Sequence, residues 1–301
     1  MKTKEKFVLA IGELLVDAIT NVQVDDLSYA QFLNIHPGGS TANFCRYLSR
    51  CGTTSKLVAA VGDDGFGKIL IAKVLNDDLP IDNIKSVPGH NTSLIVVGRT
   101  SKTPDFIPYR DADRYITTVE KKLLKNASLV HTTAFSLSKD PARASILKAF
   151  ATAHHNNIPV SVDWNYSEKI WGINDEGVKV FEQLQQFHPL LKFSMDDVAR
   201  FVGHKINIQE ALNFLAAVDA SLVCLTCGAE GVFYKCGKIG EWKYRPAAKI
   251  KVENATGAGD AFWAGFIHAW DKGMDAEKAI DNGIDIASKK LQGKLLRAAT
   301  A

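Results

Sequence analysis

The 301-residue chain predicts an α/β layer fold with a mainly parallel central sheet and a small β-sheet lid. Three observations carry that expectation. Short β-branched apolar runs ending in Gly, Asp, Asn or Thr alternate with longer amphipathic stretches, the order of strand-helix-strand units. Two segments, at about residues 16–37 and 92–110, lack a helical period and read as extended chain. Composition is ordinary for a globular protein, at 46% apolar and 23% charged.

Taken in order, "FVLAIG" reads as the first core strand. The run it opens, "FVLAIGELLVDAI", is interrupted by Gly12, Glu13 and Asp17, and no small-residue cleavage pattern follows, so it is not read as a signal peptide. "DAITNVQVDDLSYAQFLNIHPGG" is the first irregular segment. "STANFCRYLSRCG" predicts a helix, with Ala42, Cys45 and Leu48 on one face and a glycine just beyond its end. The strand "KLVAAVG" leads into "GDDGFGKI", Gly62 to Ile69, which nearly matches a P-loop. Ile69 stands where a P-loop needs a hydroxyl for magnesium, and two aspartates inside the cradle would repel phosphate. The stretch is therefore read as a glycine-rich turn ending a strand beside a pocket. "NTSLIVVGRTSKTPDFIPYR" is the second irregular segment, of hairpin character. The two irregular segments form either a lid or edge strands of the main sheet. "SLVHTT", "IPVSVDWN" and "SLVCLTCG" are further strands. "DPARASILKAFATAHHNN", which Pro141 starts, "NIQEALNFLAAVD" and "DAEKAIDNGIDIASKKLQ" are further helices. One domain over residues 1–301 accommodates all of them, and ligands of such sheets bind beyond the carboxyl ends of the strands.

Bulk properties exclude some functions. The net charge of +3, from 36 basic and 33 acidic residues, gives no footprint for nucleic acid. No apolar run is long enough to span a bilayer, and a cytoplasmic location is expected. Five cysteines without an export signal suggest reduced thiols. Cys224 and Cys227 form a C-x-x-C, but within a strand pattern positions three apart face opposite ways, so they are read as core rather than as a redox pair or half of a metal site.

The chemistry concentrates in "NATGAGDAF", residues 254–262. An extended segment, "EWKYRPAAKIKVENATGAGD", runs through three small residues, Gly257, Ala258 and Gly259, into Asp260 and an amphipathic helix. A helix start carries unpaired N–H groups and partial positive charge, and glycines let a phosphate approach them. Asp260 either complements the helix dipole or orients and deprotonates a hydroxyl attacking that phosphate. The adjacency of anion turn and acid favours the second reading.

The same stretch resembles the C-terminal motif of the ribokinase-like (PfkB) carbohydrate kinases, close to D-T-T-G-A-G-D, and the resemblance continues in order along most of the chain. "GELLVD", Gly12 to Asp17, resembles the family's first strand and turn, implying that Asp17 contacts sugar hydroxyls. "PGGSTANF" resembles its glycine motif, implying Gly38, Gly39 and Asn43 at the sugar. "VGDDGFG" matches G-x-D-x-x-G and accounts for the P-loop near-miss. "FIPYRDAD" is like a segment common in fructokinases, implying that Arg110 reaches toward sugar or transferred phosphate. "VDWN", with Asn165, resembles a D-x-N strand end. "TCGAEG" resembles the T-x-G-x-x-G nucleotide loop, implicating Thr226, Gly228 and Gly231, and Lys192 fits a Lys facing the nucleotide phosphates. Taken alone, Asp17, Asn43 and Asn165 fit turn- or helix-capping as well.

The resemblance implies a three-layer α/β/α domain with a lid, ATP and Mg2+ as cofactors, a small-molecule sugar substrate, and a homodimer through the lid. It also exposes departures. Asn254 and Ala255 stand where the family has Asp and Thr, a position that helps bind a monovalent cation in several members. "SMDD", Ser194 to Asp197, replaces N-x-x-E; Asp197 keeps a carboxylate, implying at most an outer-shell contact to magnesium held by ATP and water. Ser167 stands where Arg is frequent. The implied function is a fructokinase-like sugar kinase. Rivals are 2-keto-3-deoxygluconate kinase, which needs extra cations, ribokinase, and nucleoside kinase, for which Phe32, Phe106 and Tyr109 would serve. From another class comes a sugar-binding regulator on a kinase scaffold.

Overall fold

The computed structural model of the chain describes residues 6–99, 105–172, 175–253 and 255–294. Among them, β1 (Phe7–Ile11), β4 (Ser55–Gly62), β5 (Ile84–Val87), β8 (Ala127–Thr133), β9 (Val160–Asp163), β10 (Leu190–Ser194), β11 (Leu222–Thr226), β12 (Val232–Cys236) and β13 (Lys243–Arg245) form one sheet. Its order is β13-β12-β11-β10-β9-β8-β1-β4-β5. It is parallel from β11 to β5, and β12 and β13 extend it antiparallel.

Strand β1 shows why the sheet is a middle layer. Phe7, Leu9 and Ile11 pack into one apolar core and Val8 and Ala10 into another. Alternation sends successive side chains to opposite faces, so a strand buried on both reads as an unbroken apolar run. Helices Ala142–His155, Glu176–Gln185 and Ile208–Ala216 cover the first face; Ser40–Arg50, Gly65–Asn76, Ala258–Asp271 and Ala276–Leu291 cover the second. The last two approach closely. A Cβ on Gly265 would lie 2.9 Å from Ile286, and one on Gly283 2.8 Å from the Phe262 carbonyl.

The two irregular segments leave the main layers. The first gives β2 (Leu15–Gln23) and β3 (Leu33–Gly38), the second β6 (Leu94–Arg99) and β7 (Asp105–Tyr109). They form a separate four-stranded sheet, β3-β2-β6-β7, so the lid reading holds over the edge-strand reading. Both segments pair antiparallel internally, while β2 and β6 run parallel and join them. The glycine-rich turn at Gly62 is structural: Asp64 caps helix Gly65–Asn76 through the Gly67 N–H at 2.8 Å and accepts from the backbone and hydroxyl of Thr92, each at 2.7 Å. Cys224 is buried in β11 and Cys227 lies just past its end, both as free thiols. No helix among the described residues is long and apolar enough to cross a membrane.

From β1 the chain moves outward to β4 and β5, then returns to the other side of β1 as β8 and continues through β9 to β11. The crevice beyond the carboxyl ends of β1 and β8 is thus the topological switch point.

Candidate active site

A cleft of about 1470 Å³ opens at that switch point, between the strand ends and the inner face of the lid. In-register pairing brings Thr133, Asp163 and Lys192 to one level at the ends of β8 to β10, with Ser194 and Thr226 paired two residues further along β10 and β11. From the lid, period-two alternation turns Leu15, Asp17, Ile95 and Val97 into the cleft, with Phe106 beside them.

Asp260 occupies the first turn of helix Ala258–Asp271. Gly257 precedes the helix at φ +74°, a left-handed conformation that suits glycine. The Asp260 carboxylate accepts from Ser40 Oγ at 2.6 Å and from Asn43 Nδ2 at 2.9 Å. It is reachable from the cleft and enclosed by protein elsewhere. Burial, then the charge of Asp163, push its carboxyl up to about 6, against the opposing pull of Ser40, Asn43 and Lys192. A Cβ on Gly259 would lie 3.2 Å from Lys192 Nζ, so the bare turn and the ammonium are neighbours. Within the turn, the Ala258 N–H donates to the Ala255 carbonyl at 3.1 Å.

On the lid side, the Asp17 carboxylate lies against Gly38, whose Cβ would come 2.1 Å from Oδ2. Burial, then Asp260, then Glu13, push the Asp17 carboxyl up to about 7. Glu13 itself is 2% exposed. It accepts from the Thr41 backbone at 3.2 Å, the Thr41 hydroxyl at 2.9 Å, the Thr133 hydroxyl at 2.8 Å and the Ser136 hydroxyl. It thereby ties β1, β8 and helix Ser40–Arg50 into one frame. Gly39 enters that helix at φ +99°, with its missing Cβ 2.5 Å from the Glu13 carbonyl, so any side chain there collides with the frame.

On the opposite side, Lys192 stands directly across from Asp163 in the β9–β10 register, and Nζ donates to both carboxylate oxygens at 2.7 and 2.9 Å. Burial alone would lower the lysine, yet Asp163, Asp197 and Asp260 together hold it above its ordinary value and charged. Ser194 and Asp197 form a capping box on helix Met195–Val202, with bonds of 3.1 and 2.7 Å. Burial pushes the Asp197 carboxyl up to about 6. Thr226, Gly228 and Gly231 line the far end of the cleft, beside an apolar wall that includes Ile250, Val252 and Ile284.

Thus Asp17, Gly39, Asn43, Asn165, Lys192, Ser194, Asp197, Thr226, Gly228, Gly231 and the 257–260 turn meet around one cleft. Gly38 stands behind Asp17. Arg110 goes elsewhere. Its guanidinium is paired with buried Asp113 (2.5 Å), bonded to Ser138, and stacked 4.0 Å over Phe135, and it does not line the cleft. Ser167 is buried at the start of the short helix Glu168–Trp171. Asn254 lies outside the described residues; Ala255 lines the cleft with only a methyl group. Sequence reading missed Glu13, Ser40 and Asp163, although "GE" and "VD" at strand ends were available signals.

A cation-steadied acid beside a small-residue helix start, facing a second acid on a lid, is an arrangement suited to phosphoryl transfer onto a hydroxyl. Comparison with known proteins agrees. The profile of the pfkB family carbohydrate kinases matches residues 5–300. The chain belongs to the PfkB family. As a PfkB carbohydrate kinase it is a phosphotransferase acting on a sugar alcohol group. It is 31% identical over 291 residues to an ATP-dependent 6-phosphofructokinase of Thermoanaerobacterium thermosaccharolyticum, covering 96% of this chain and 89% of that one. It is 29% identical to an Escherichia coli fructokinase, covering 77% and 76%. The Halothermothrix orenii fructokinase structure superposes with TM-score 0.83 at 30% identity, over 93% of this chain and 98% of that one. A Pyrococcus horikoshii sugar kinase solved in complex with ATP shares the PfkB kinase fold at TM-score 0.83 and 24% identity.

Proposed function

We propose that this PfkB kinase, as one catalytic unit spanning the chain, transfers the γ-phosphate of ATP to a hydroxymethyl group of a small neutral sugar, most closely fructose-like. The observation that carries this reading is Asp260 held between Ser40 and Asn43 at the start of a bare helix turn, facing Asp17 on the lid. The sugar hydroxyl oxygen forms the new bond to phosphorus, the bond from phosphorus to the ADP oxygen breaks, and Asp260 accepts the hydroxyl proton. Gly257, Gly259 and the Lys192 ammonium absorb charge on the moving group, whereas the expected Ala258 donor is already committed to the Ala255 carbonyl. Asp17, Gly39, Asn43 and Asn165 hold the sugar, and Thr226, Gly228 and Gly231 cradle the nucleotide. Mg2+ neutralises phosphate charge when bound. Buried Asp197, at the mouth of the nucleotide side, would meet the ion as an outer-shell carboxylate, with ATP oxygens and water as its nearer partners. Free cysteines throughout fit a cytoplasmic setting.

The charge of the site supports a neutral sugar. Glu13, Asp17 and Asp260 crowd the sugar side, and the lining cations among the described residues, Lys192 and Arg200, come from β10 and the helix after it. Arg110 is neutralised by Asp113. A sugar phosphate or sugar acid would meet carboxylates without a counter-ion. Of the aromatic residues a nucleoside site would use, Phe106 lines the cleft, whereas Phe32 and Tyr109 are 67% and 58% exposed. The test is ADP release with Mg-ATP over a panel of neutral hexoses and pentoses, fructose 6-phosphate, 2-keto-3-deoxygluconate and adenosine. Fructose or a close neutral analogue is expected to give kcat/KM about 100-fold above the charged sugars. Preference for fructose 6-phosphate would overturn the assignment.

The lid also supports a homodimer. Tyr29, Phe32, Leu33 and Ile35 are exposed along β3 and the turn before it. Such a cluster of apolar side chains marks an interaction surface, and pairing with a second lid buries it. Sedimentation at assay concentration is expected to report a dimer that Phe32→Asp splits; a native monomer at that concentration would remove the proposal.

A further inference from the structure

The orientation of the Asn43 side chain has a cause one turn further along its helix. Asn43 and Arg46 are spaced i, i+3 and so face the same side. Arg46 Nη1 donates to Asn43 Oδ1 at 2.8 Å, and Arg46 Nε donates to Asp77 Oδ2 at 2.6 Å. Asp77 is 4% exposed at its side chain and is also paired with Lys73 at 2.5 Å. Burial would raise Asp77, but Lys73 and Arg46 hold it below its ordinary value, so it remains an anionic anchor. An amide has one accepting and one donating end, whereas a guanidinium only donates. With Arg46 fixed by Asp77, Asn43 must turn its oxygen to Arg46 and its Nδ2 to Asp260, where it lies 2.9 Å from Oδ2. Without Arg46 the amide is free to rotate and present oxygen to a carboxylate.

We propose that Arg46 is a positioning residue for phosphoryl transfer, acting through Asn43 to aim the Asp260 carboxylate. This rests on the reading of Asp260 as the base. Arg46 contributes no atom to the cleft lining; its effect passes through a single amide. The other charged or titratable groups near Asp260 are Asp17 from the lid, Tyr47 on the same helix as Arg46, Asp163 and Lys192 from the sheet, and Lys290 from helix Ala276–Leu291. None of these bonds the Asn43 amide in the way Arg46 does, so removing Arg46 leaves their fields in place while losing the lock.

The experiment compares Arg46→Met, Arg46→Lys, Asp77→Asn and Asp260→Asn by kcat, by both KM values, by the pH profile of kcat and by thermal melting. Arg46→Met is expected to lower kcat about tenfold and to move the acid limb upward by about half to one pH unit, since a lost bond to the ionised form raises its pKa. The KM for ATP stays within about threefold, while that for sugar rises modestly with the loss of order at the Asn43 amide. Arg46→Lys, which still donates to Asn43 Oδ1, recovers most of the limb position. Asp77→Asn, which weakens the anchor of Arg46, moves the limb part of the way in the same direction and lowers Tm. An unmoved limb in Arg46→Met with Asp260→Asn inactive overturns this inference alone. A limb shift in Arg46→Met that Arg46→Lys does not reverse reduces Arg46 to a structural tie and overturns it as well. Full turnover in Asp260→Asn removes the base assignment and the inference together.

Discussion

Asp260→Asn is expected to lower kcat about a thousandfold while sugar affinity stays within about threefold of the native chain. An amide cannot take the hydroxyl proton, and the ground-state sugar contacts from Asp17, Gly39 and Asn165 persist. The native enzyme should show the matching pH dependence. A base must be unprotonated to act, and this carboxyl is pushed up to about 6 by burial and Asp163. Turnover at saturating sugar therefore falls as pH drops through about 6, whereas Asp260→Asn has no limb there. Steady-state ADP release from pH 5 to 8, with sugar affinity measured calorimetrically, checks both. Near-native kcat in the variant would falsify the mechanism.

Asp17→Asn should split function from stability. Sugar KM is expected to rise about 10–100-fold, the value of a charged hydrogen bond to a hydroxyl, with much less change in the KM for ATP. The unliganded protein should become more stable at alkaline pH. Asp17 has a folded-state value of about 7, above its ordinary 3.8, because burial and the charges of Asp260 and Glu13 disfavour its ionised form. The folded chain therefore binds that proton more tightly than the unfolded chain. Its stabilising contribution is complete below about pH 4 and is lost as pH rises through about 7. Replacing the carboxylate removes the loss, so the variant should exceed the native chain by about 2 kcal/mol at pH 8, a margin that shrinks toward pH 5. Thermal melts at the two pH values test the sign. A variant less stable at pH 8 than at pH 5, relative to native, would contradict it.

Much of this was legible in the residues because it is local. Helix Ala142–His155 begins right after Pro141, helix Ser40–Arg50 ends before Gly52, and the lid segments fall within two residues of their expected limits. The turn at Gly257 announced itself through the loss of side chains. Contacts far apart along the chain were not legible. Ser40 and Asn43 reach Asp260 across 220 and 217 positions, and Thr133 reaches Glu13 across 120. No spacing rule encodes such pairs; the first two arise where helix Ser40–Arg50 packs on helix Ala258–Asp271, the third where the crossover returns β8 beside β1. Arg110 shows the opposite failure. A cationic side chain in a lid segment reads as a ligand-seeker, but Asp113, three residues on, consumes it. Lys192 was placed on motif grounds, and its partner Asp163 depended on strand register, which the sequence of either strand alone leaves open.

The division of the cleft between two sheets has an evolutionary consequence. On the proposed reading, the sugar lies between the small sheet, which offers Leu15, Asp17, Ile95, Val97 and Phe106, and the large layers, which offer Gly39, Asn43 and Asn165 and carry Lys192 and Asp260 for the phosphate. On that reading, a substitution at Phe106, half-buried against the first core, would alter which sugar fits without disturbing a strand of the main sheet or its register. Preference can then drift by changes on the small sheet, with the reaction inherited unchanged.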